Sequence, residues 1–250
     1  RRRQRGPAPL RHLLPAVSPP AARAPCPPKA GGPPAKPAEA PAAAPAATPV
    51  KSDAPAGEYS TDLSHTSLIF RVYHLGFSNY TARFTKVDAK LNFDPANPAA
   101  MSVTATIDPK SLETDYPDPK LDFDAELTGA NWLDAAKFPQ MTFKSTKVEP
   151  TGPNTARVTG DFTLHGVTKP VTLDVTFNGG YAGNAMDPGG SRIGFSAHGS
   201  LKRSDFGVAY GIPAPGSNMG VSDLVQFELE TEMLKPKEAA AAAPPAAPKS

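Results

Sequence analysis

Seven stretches between Leu68 and Met233 alternate apolar and polar residues with a period of two. Successive side chains of an extended strand point to opposite faces, so strict alternation describes a sheet with one buried and one solvated face, the antiparallel pattern. Leu68, Phe70, Val72 and His74 share one face, with Ile69, Arg71, Tyr73 and Leu75 opposite. Val87–Phe93 and Met101–Ile107 repeat the pattern, and Val158–Leu164 with Val171–Phe177 form its clearest pair. Ile193–Leu201 and Val221–Met233 follow. Asp94-Pro95-Ala96-Asn97-Pro98, Thr151-Gly152-Pro153-Asn154 and His165-Gly166 supply turn chemistry between runs, and Gly-rich Asn178–Gly190 a longer loop. About eight strands at this spacing suit an up-and-down barrel or sandwich. The expectation is an all-β chain, an eight-stranded antiparallel barrel with a short helical insertion.

The aromatic residues mark where such a domain stops. All 12 Phe, all 6 Tyr and the single Trp lie between Tyr59 and Phe227, whereas 15 of the 31 Pro lie in residues 1–57 and 4 in residues 236–250. A Pro/Ala-rich segment without aromatics cannot bury enough apolar surface to offset its ordering entropy. Residues 1–57 and 236–250 therefore read as disordered flanks of a domain spanning 58–235. The arm carries nine Lys/Arg against two acids, and the domain itself is net acidic. An acidic domain argues against a nucleic-acid partner, which needs a basic face. Cys26, the only cysteine, lies in the arm, so no disulfide or Cys-based zinc site forms within one chain. Leu10–Val17 is too short for a signal-peptide core, and no run of about 18 apolar residues offers a membrane-spanning helix.

Residues 111–139 break the alternation. Leu121–Glu126 and Asn131–Ala136 fit short helical turns, the second with Asn131 as N-cap. Such an insertion, carrying Phe123, Trp132, Leu133 and Phe138, would cover one end of a barrel. Its acids, Glu113, Asp115, Asp118, Asp122, Asp124 and Glu126, lack calcium-loop spacing and read as a solvated loop.

No motif for nucleophilic, zinc-protease or nucleotide chemistry occurs, so no catalytic residue, metal or cofactor is expected. His65 and His74 differ in parity and are poorly placed to share a metal. His74 shares a face with Phe70 and Val72; it reads as a hydrogen-bonded core histidine or as a polar contact to a ligand head group. Eight strands enclose an interior just wide enough to fill with side chains or to hold one ligand. Ala89, Ala105, Gly160, Ala197 and Gly199 on the apolar face leave room for the second arrangement.

Several stretches together are recognisable. His65–Gly76, Phe93–Ala100, Ala136–Thr146, Arg203-Ser204-Asp205-Phe206-Gly207, Val221-Ser222-Asp223 and above all Gly160-Asp161-Phe162-Thr163-Leu164-His165-Gly166-Val167-Thr168-Lys169-Pro170 resemble the YceI-like family of polyisoprenoid-binding proteins. The likeness runs in order through nearly all of 58–235 and leaves out both flanks. It implies a lipocalin-like barrel with a long apolar tunnel and an isoprenoid, isoprenoid-quinone or fatty-acyl ligand. It also implies a periplasmic or otherwise exported setting, transient membrane contact and a homodimer. The expected ligand contacts are Phe70, Val72, His74, Phe84, Phe93, Ile107, Phe123, Trp132, Phe138, Phe143, Phe162, Val175, Phe177 and Phe195. The chain departs from the family at Tyr80-Thr81-Ala82-Arg83-Phe84, where a Gly commonly precedes the Phe. It departs again after Thr114, where Asp115–Leu121 lacks an Arg-Asp-x-His-Leu stretch. Two other functions fit the same residues: an enzyme acting on a tunnel-bound lipid, and a cell-envelope scaffold with a filled barrel.

Overall fold

The computed structural model describes residues 48–187 and 189–236. The arm upstream of Thr48, with Arg1–Arg5, His12 and Cys26, and the tail beyond Pro236 lie outside the described residues. Ten strand segments form one antiparallel sheet: β1 (Gly57–His74), β2 (Ser78–Phe84), β3 (Val87–Phe93), β4 (Ser102–Ile107), β5 (Leu112–Glu113), β6 (Met141–Pro150), β7 (Thr155–Leu164), β8 (Val167–Tyr181), β9 (Gly190–Lys202) and β10 (Val221–Pro236). The second half of β1 pairs with β2 and its first residues pair with β3, so β2 and β3 act as one strand broken at Thr85–Lys86. β4 and β5 divide one stave in the same way, against β3 and β2. The ten segments are thus eight staves, and β10 pairs back onto β1 to close the barrel.

Strands run alternately between two poles. The near pole holds the β1–β2 turn, residues 114–140 between β5 and β6, the β7–β8 turn, and residues 203–220 between β9 and β10. The far pole holds the β3–β4 and β6–β7 connections and the loop after Tyr181. His165 and Gly166 both take positive φ (52° and 75°), as a two-residue hairpin of the primed type demands. Leu75 does the same at φ 51° beside Gly76, so β1 ends at His74 and Leu75 turns instead of extending the strand face as its parity suggests.

The insertion differs from expectation. Its one helix is α1 (Phe123–Thr128), capped by Asp122, whose carboxylate accepts from the Ala125 N–H at 2.9 Å. Residues 131–136 form turns, so Asn131 caps no helix; Asp134, at φ 44°, breaks the run. The acids are not simply solvated either. Asp124 accepts from the Thr114 N–H and hydroxyl (2.9 and 2.5 Å), and Glu113 pairs with Arg83 at 2.6 Å.

The domain begins earlier than residue 58. Residues 48–56 form a strap at the far pole. Asn154 accepts from the Val50 N–H and donates to the Thr48 carbonyl, each at 2.8 Å. Ser52 bridges Gly180, the Asp53 carboxylate accepts from the Ala182 N–H, and Tyr59 donates to the Pro55 carbonyl. Ala54 is buried against Tyr59, Phe93 and Ile193. Composition hid this segment because its contribution is made by backbone groups, the Asp53 carboxylate and one methyl. Shortening the chain from a start at Thr48 to a start at Gly57 should cost about 2 kcal/mol in lost hydrogen bonds and burial. The expected result is a fall of about 4–8 °C in Tm, measured by calorimetry on the two truncated proteins.

Candidate functional site

The inward residues of the barrel pack into two groups, one at each pole. Val87, Ile107, Met141, Leu164, Val171, Phe206 and Val208 form the near group; Tyr59, Leu91, Phe93, Ile193 and Met233 form the far one. Between and through them runs a cavity of about 960 Å³, lined from Val50 and Pro98 at the far pole to His74, Trp132 and Arg203 at the near pole. That volume is at the upper end of the ~300–1,000 Å³ usual for ligand pockets.

Burial along the strands separates a cavity from a filled core. Phe70, Phe84, Phe162, Phe177, Phe195 and Phe227 all face inward, yet none is fully buried. Alternation from Leu224 to Glu230 of β10 is between exposed and half-buried residues, not between exposed and buried ones. Inward side chains of a packed interior lose nearly all accessible surface; these keep part of it because they face a void.

The wall contains Phe70, Val72, His74, Phe84, Phe93, Ile107, Phe123, Trp132, Phe143, Phe162, Val175, Phe177 and Phe195, as parity and the family likeness suggest. Phe138 is not among them. Its ring lies against His165 at 4.5 Å between centroids and covers Gly166, where a Cβ would stand 2.4 Å from it. It packs on the outside of the β7–β8 turn. His74 is exposed at the near pole and is not a core histidine.

The glycines also behave differently from expectation. Ala89, Ala105 and Ala197 line the cavity, but Gly160 and Gly199 do not. A Cβ on Gly160 would meet the Phe143 ring at 2.4 Å, and one on Gly199 would meet the Phe227 ring at 2.7 Å. Each glycine lets a cross-strand neighbour's ring lie flat on the wall, so Gly160→Phe would collide with Phe143 before it could fill the lumen. Tyr80, Arg203 and Tyr116 are among the wall residues that escaped sequence reasoning. Tyr80 shares parity with Phe84, and Arg203 shares parity with Ile193–Leu201; either continuation would have revealed them. Tyr116, in the insertion, left no such signal.

Arg203 is buried among main-chain acceptors. Its Nε donates to the Ser222 carbonyl, Nη1 to those of Val208 and Tyr210, and Nη2 to that of Val221, at 2.8–3.0 Å. It also lies over the Trp132 ring at 5.4 Å. Burial lowers its pKa, against the pull of Asp223, whose carboxylate is hydrogen-bonded to Ser204. Among the described residues no Asp or Glu lines the cavity, and Ser52 and Ser102 sit at the pole opposite His74. Among the described residues, His74 makes no hydrogen bond to a hydroxyl of this wall.

Asp62, His65 and Glu232 come within 4.8 Å of one another on the outside of the seam between β1 and β10. Arg192 already supplies the positive charge there, with Nη1 2.5 Å from Asp62 and 3.3 Å from Glu232, and Nε 2.5 Å from Asp187. The group is an ion-pair network that pins the β1 bulge between Thr61 and Thr66.

The YceI-like domain family matches residues 59–233. The chain belongs to the YceI-like family. A UPF0312 protein of Vibrio cholerae is 38% identical over 182 residues, covering 72% of this chain and 88% of that protein. The crystal structure of BcnA from Burkholderia cenocepacia aligns with TM-score 0.57 and 30% identity, over 69% of this chain and 98% of that one. A polyisoprenoid binding domain from Saccharophagus degradans shares the fold at TM-score 0.50 and 12% identity, over 73% and 100% of the two chains.

The Asp62 carboxyl is held well below its ordinary value near 3.8, first by the Arg192 hydrogen bond and then by that from His65. A depressed carboxylate stabilises the fold fully above its unfolded pKa and loses that contribution as pH falls through its folded value. Asp62→Asn should cost about 1.5–3 kcal/mol at pH 7. The gap from the parent protein should narrow progressively below about pH 4, as read from urea unfolding across a pH series.

Proposed function

We propose that this protein binds one long apolar lipid, of polyisoprenoid, isoprenoid-quinone or fatty-acyl type, inside the barrel, and carries or sequesters it outside the cytoplasm without covalent chemistry. The observation that carries this reading is the void itself: six inward phenylalanines keep surface that a filled scaffold would have buried. Burying apolar area contributes about 25 cal/mol per Å², and a wall of this composition rewards a hydrocarbon chain along its whole length. The Saccharophagus degradans domain of the same fold is described as polyisoprenoid binding, and membership of the family supports an exported setting. Organic extraction of protein purified from its natural host, followed by mass spectrometry, should recover a stoichiometric lipid with a long hydrocarbon chain. Recovery of none would sink the reading.

A carrier must exchange its lipid with a membrane, and the near pole has the rim for it. Phe77 and Met219 are 80% and 72% exposed, on two loops joined by the Leu75 N–H to the Gly220 carbonyl at 2.8 Å. Apolar side chains so placed insert shallowly at a bilayer interface. Replacing both with Ser should reduce transfer of bound lipid to phosphatidylcholine vesicles roughly tenfold or more, since about 1.4 kcal/mol of lost contact is a factor of ten. Its effect on Tm should be negligible. Unchanged transfer would place the exchange surface elsewhere.

A further inference from the structure

The two packed groups inside the barrel lie on opposite sides of it. In the closed ring of staves, β3 and β8 stand diametrically apart, separated by β4, β6 and β7 on one side and by β1, β10 and β9 on the other. At the near pole the buried residues Ile107, Met141 and Leu164 come from β4, β6 and β7. At the far pole the buried residues Tyr59, Met233 and Ile193 come from β1, β10 and β9. The cavity takes the side left free at each end, so it runs obliquely. Half-buried Val72 of β1 and Val225 of β10 line it toward the near pole, and half-buried Val103 of β4, Val148 of β6 and Ala156 of β7 line it toward the far pole. Tyr59 and Ile193, on the filled side, are not part of its wall.

A bar of aromatic rings marks the division at the far pole. Phe93 of β3 and Phe177 of β8 reach toward each other from opposite staves, and their ring centroids lie 5.7 Å apart. Tyr59 meets Phe93 edge-on at 5.6 Å, and Phe195 meets Phe177 at 5.3 Å. Phe93 is buried in the far group with Leu91 and Met233. The interior of an eight-stranded barrel is just wide enough for side chains to fill, so a bar across its diameter leaves half of it. Volume alone does not set how many chains a cavity takes. Cross-section does, and here half of the cross-section is closed at each end.

We propose that the barrel admits a single hydrocarbon chain and excludes two-chain lipids, with Phe93 and Phe177 as the residues that set this limit. This rests on the cavity being a lipid site and narrows its occupant to lipids with one chain. Two chains on a shared head lie side by side, and at the far pole the second meets the bar of rings. Its entry would overpack a side of the barrel that is already filled. Monooleoylglycerol and dioleoylglycerol have the same head and the same chain and differ in chain number. Full-length protein is incubated with phosphatidylcholine vesicles holding equal amounts of the two, reisolated, extracted and analysed by mass spectrometry. Monooleoylglycerol should be recovered in roughly tenfold excess or more, which is what an overpacking cost of the usual size gives.

Phe177→Ala removes one half of the bar, and Phe177→Leu shortens it with less loss of packing, which keeps a folded variant in hand. Each should shift the recovered ratio toward dioleoylglycerol, by roughly threefold or more for the alanine variant and less for the leucine. The shift between parent and variant cancels the different ease with which the two lipids leave a bilayer. Equal uptake of both lipids by the parent protein, or a ratio that neither variant moves, would overturn the single-chain limit and leave the lipid cavity standing. Uptake of neither lipid by the parent protein would overturn both.

Discussion

The pairing of β1 with β10 is the interaction on which everything else rests. A meander of eight staves is an open sheet until its first and last strands meet, and an open sheet of this length exposes two rows of unpaired backbone groups. Ser60 to His74 of β1 and Val221 to Leu234 of β10 supply that meeting. It is not a simple ladder: it slips between Thr61 and Thr66, where the Arg192 network clamps the bulge from outside. Once closed, the sheet needs no partner at its edges, and its inner face can stay incompletely packed without loss of backbone hydrogen bonds.

That tolerance is what permits a cavity. An ordinary domain of this size spends its aromatic residues on a dense interior; here they are spread along a wall, with compact groups only at the poles. The near pole is drawn together by one guanidinium reaching four carbonyls in residues 208–222. The far pole is drawn together by the strap that Asn154 and Gly180 hold. Stability resides in the ends and the ladders, leaving the middle available to a guest.

How far this was legible in the sequence depended on whether the signal was local. Period two is local, so Phe70, Val72, Phe162, Phe177 and Phe195 could be assigned to the inner face from parity alone. Phe138 could not, because parity has no meaning in an irregular insertion and Gly166, its actual partner, is distant in the chain. The strap 48–56 was invisible because it has no aromatic residue and holds through backbone groups and the Asp53 carboxylate. Arg203 was overlooked for a different reason: a charged residue at the end of an apolar run reads as the point where the strand surfaces, although its parity still points inward.

Phe143 over Gly160 and Phe227 over Gly199 give the wall two seats without side chains beneath them. A ring lying directly on backbone stands lower than one stacked on another side chain, so the wall is flattest at these two seats. The bore owes part of its width to two missing methyl groups: a β-carbon at either glycine would lift its ring into the lumen.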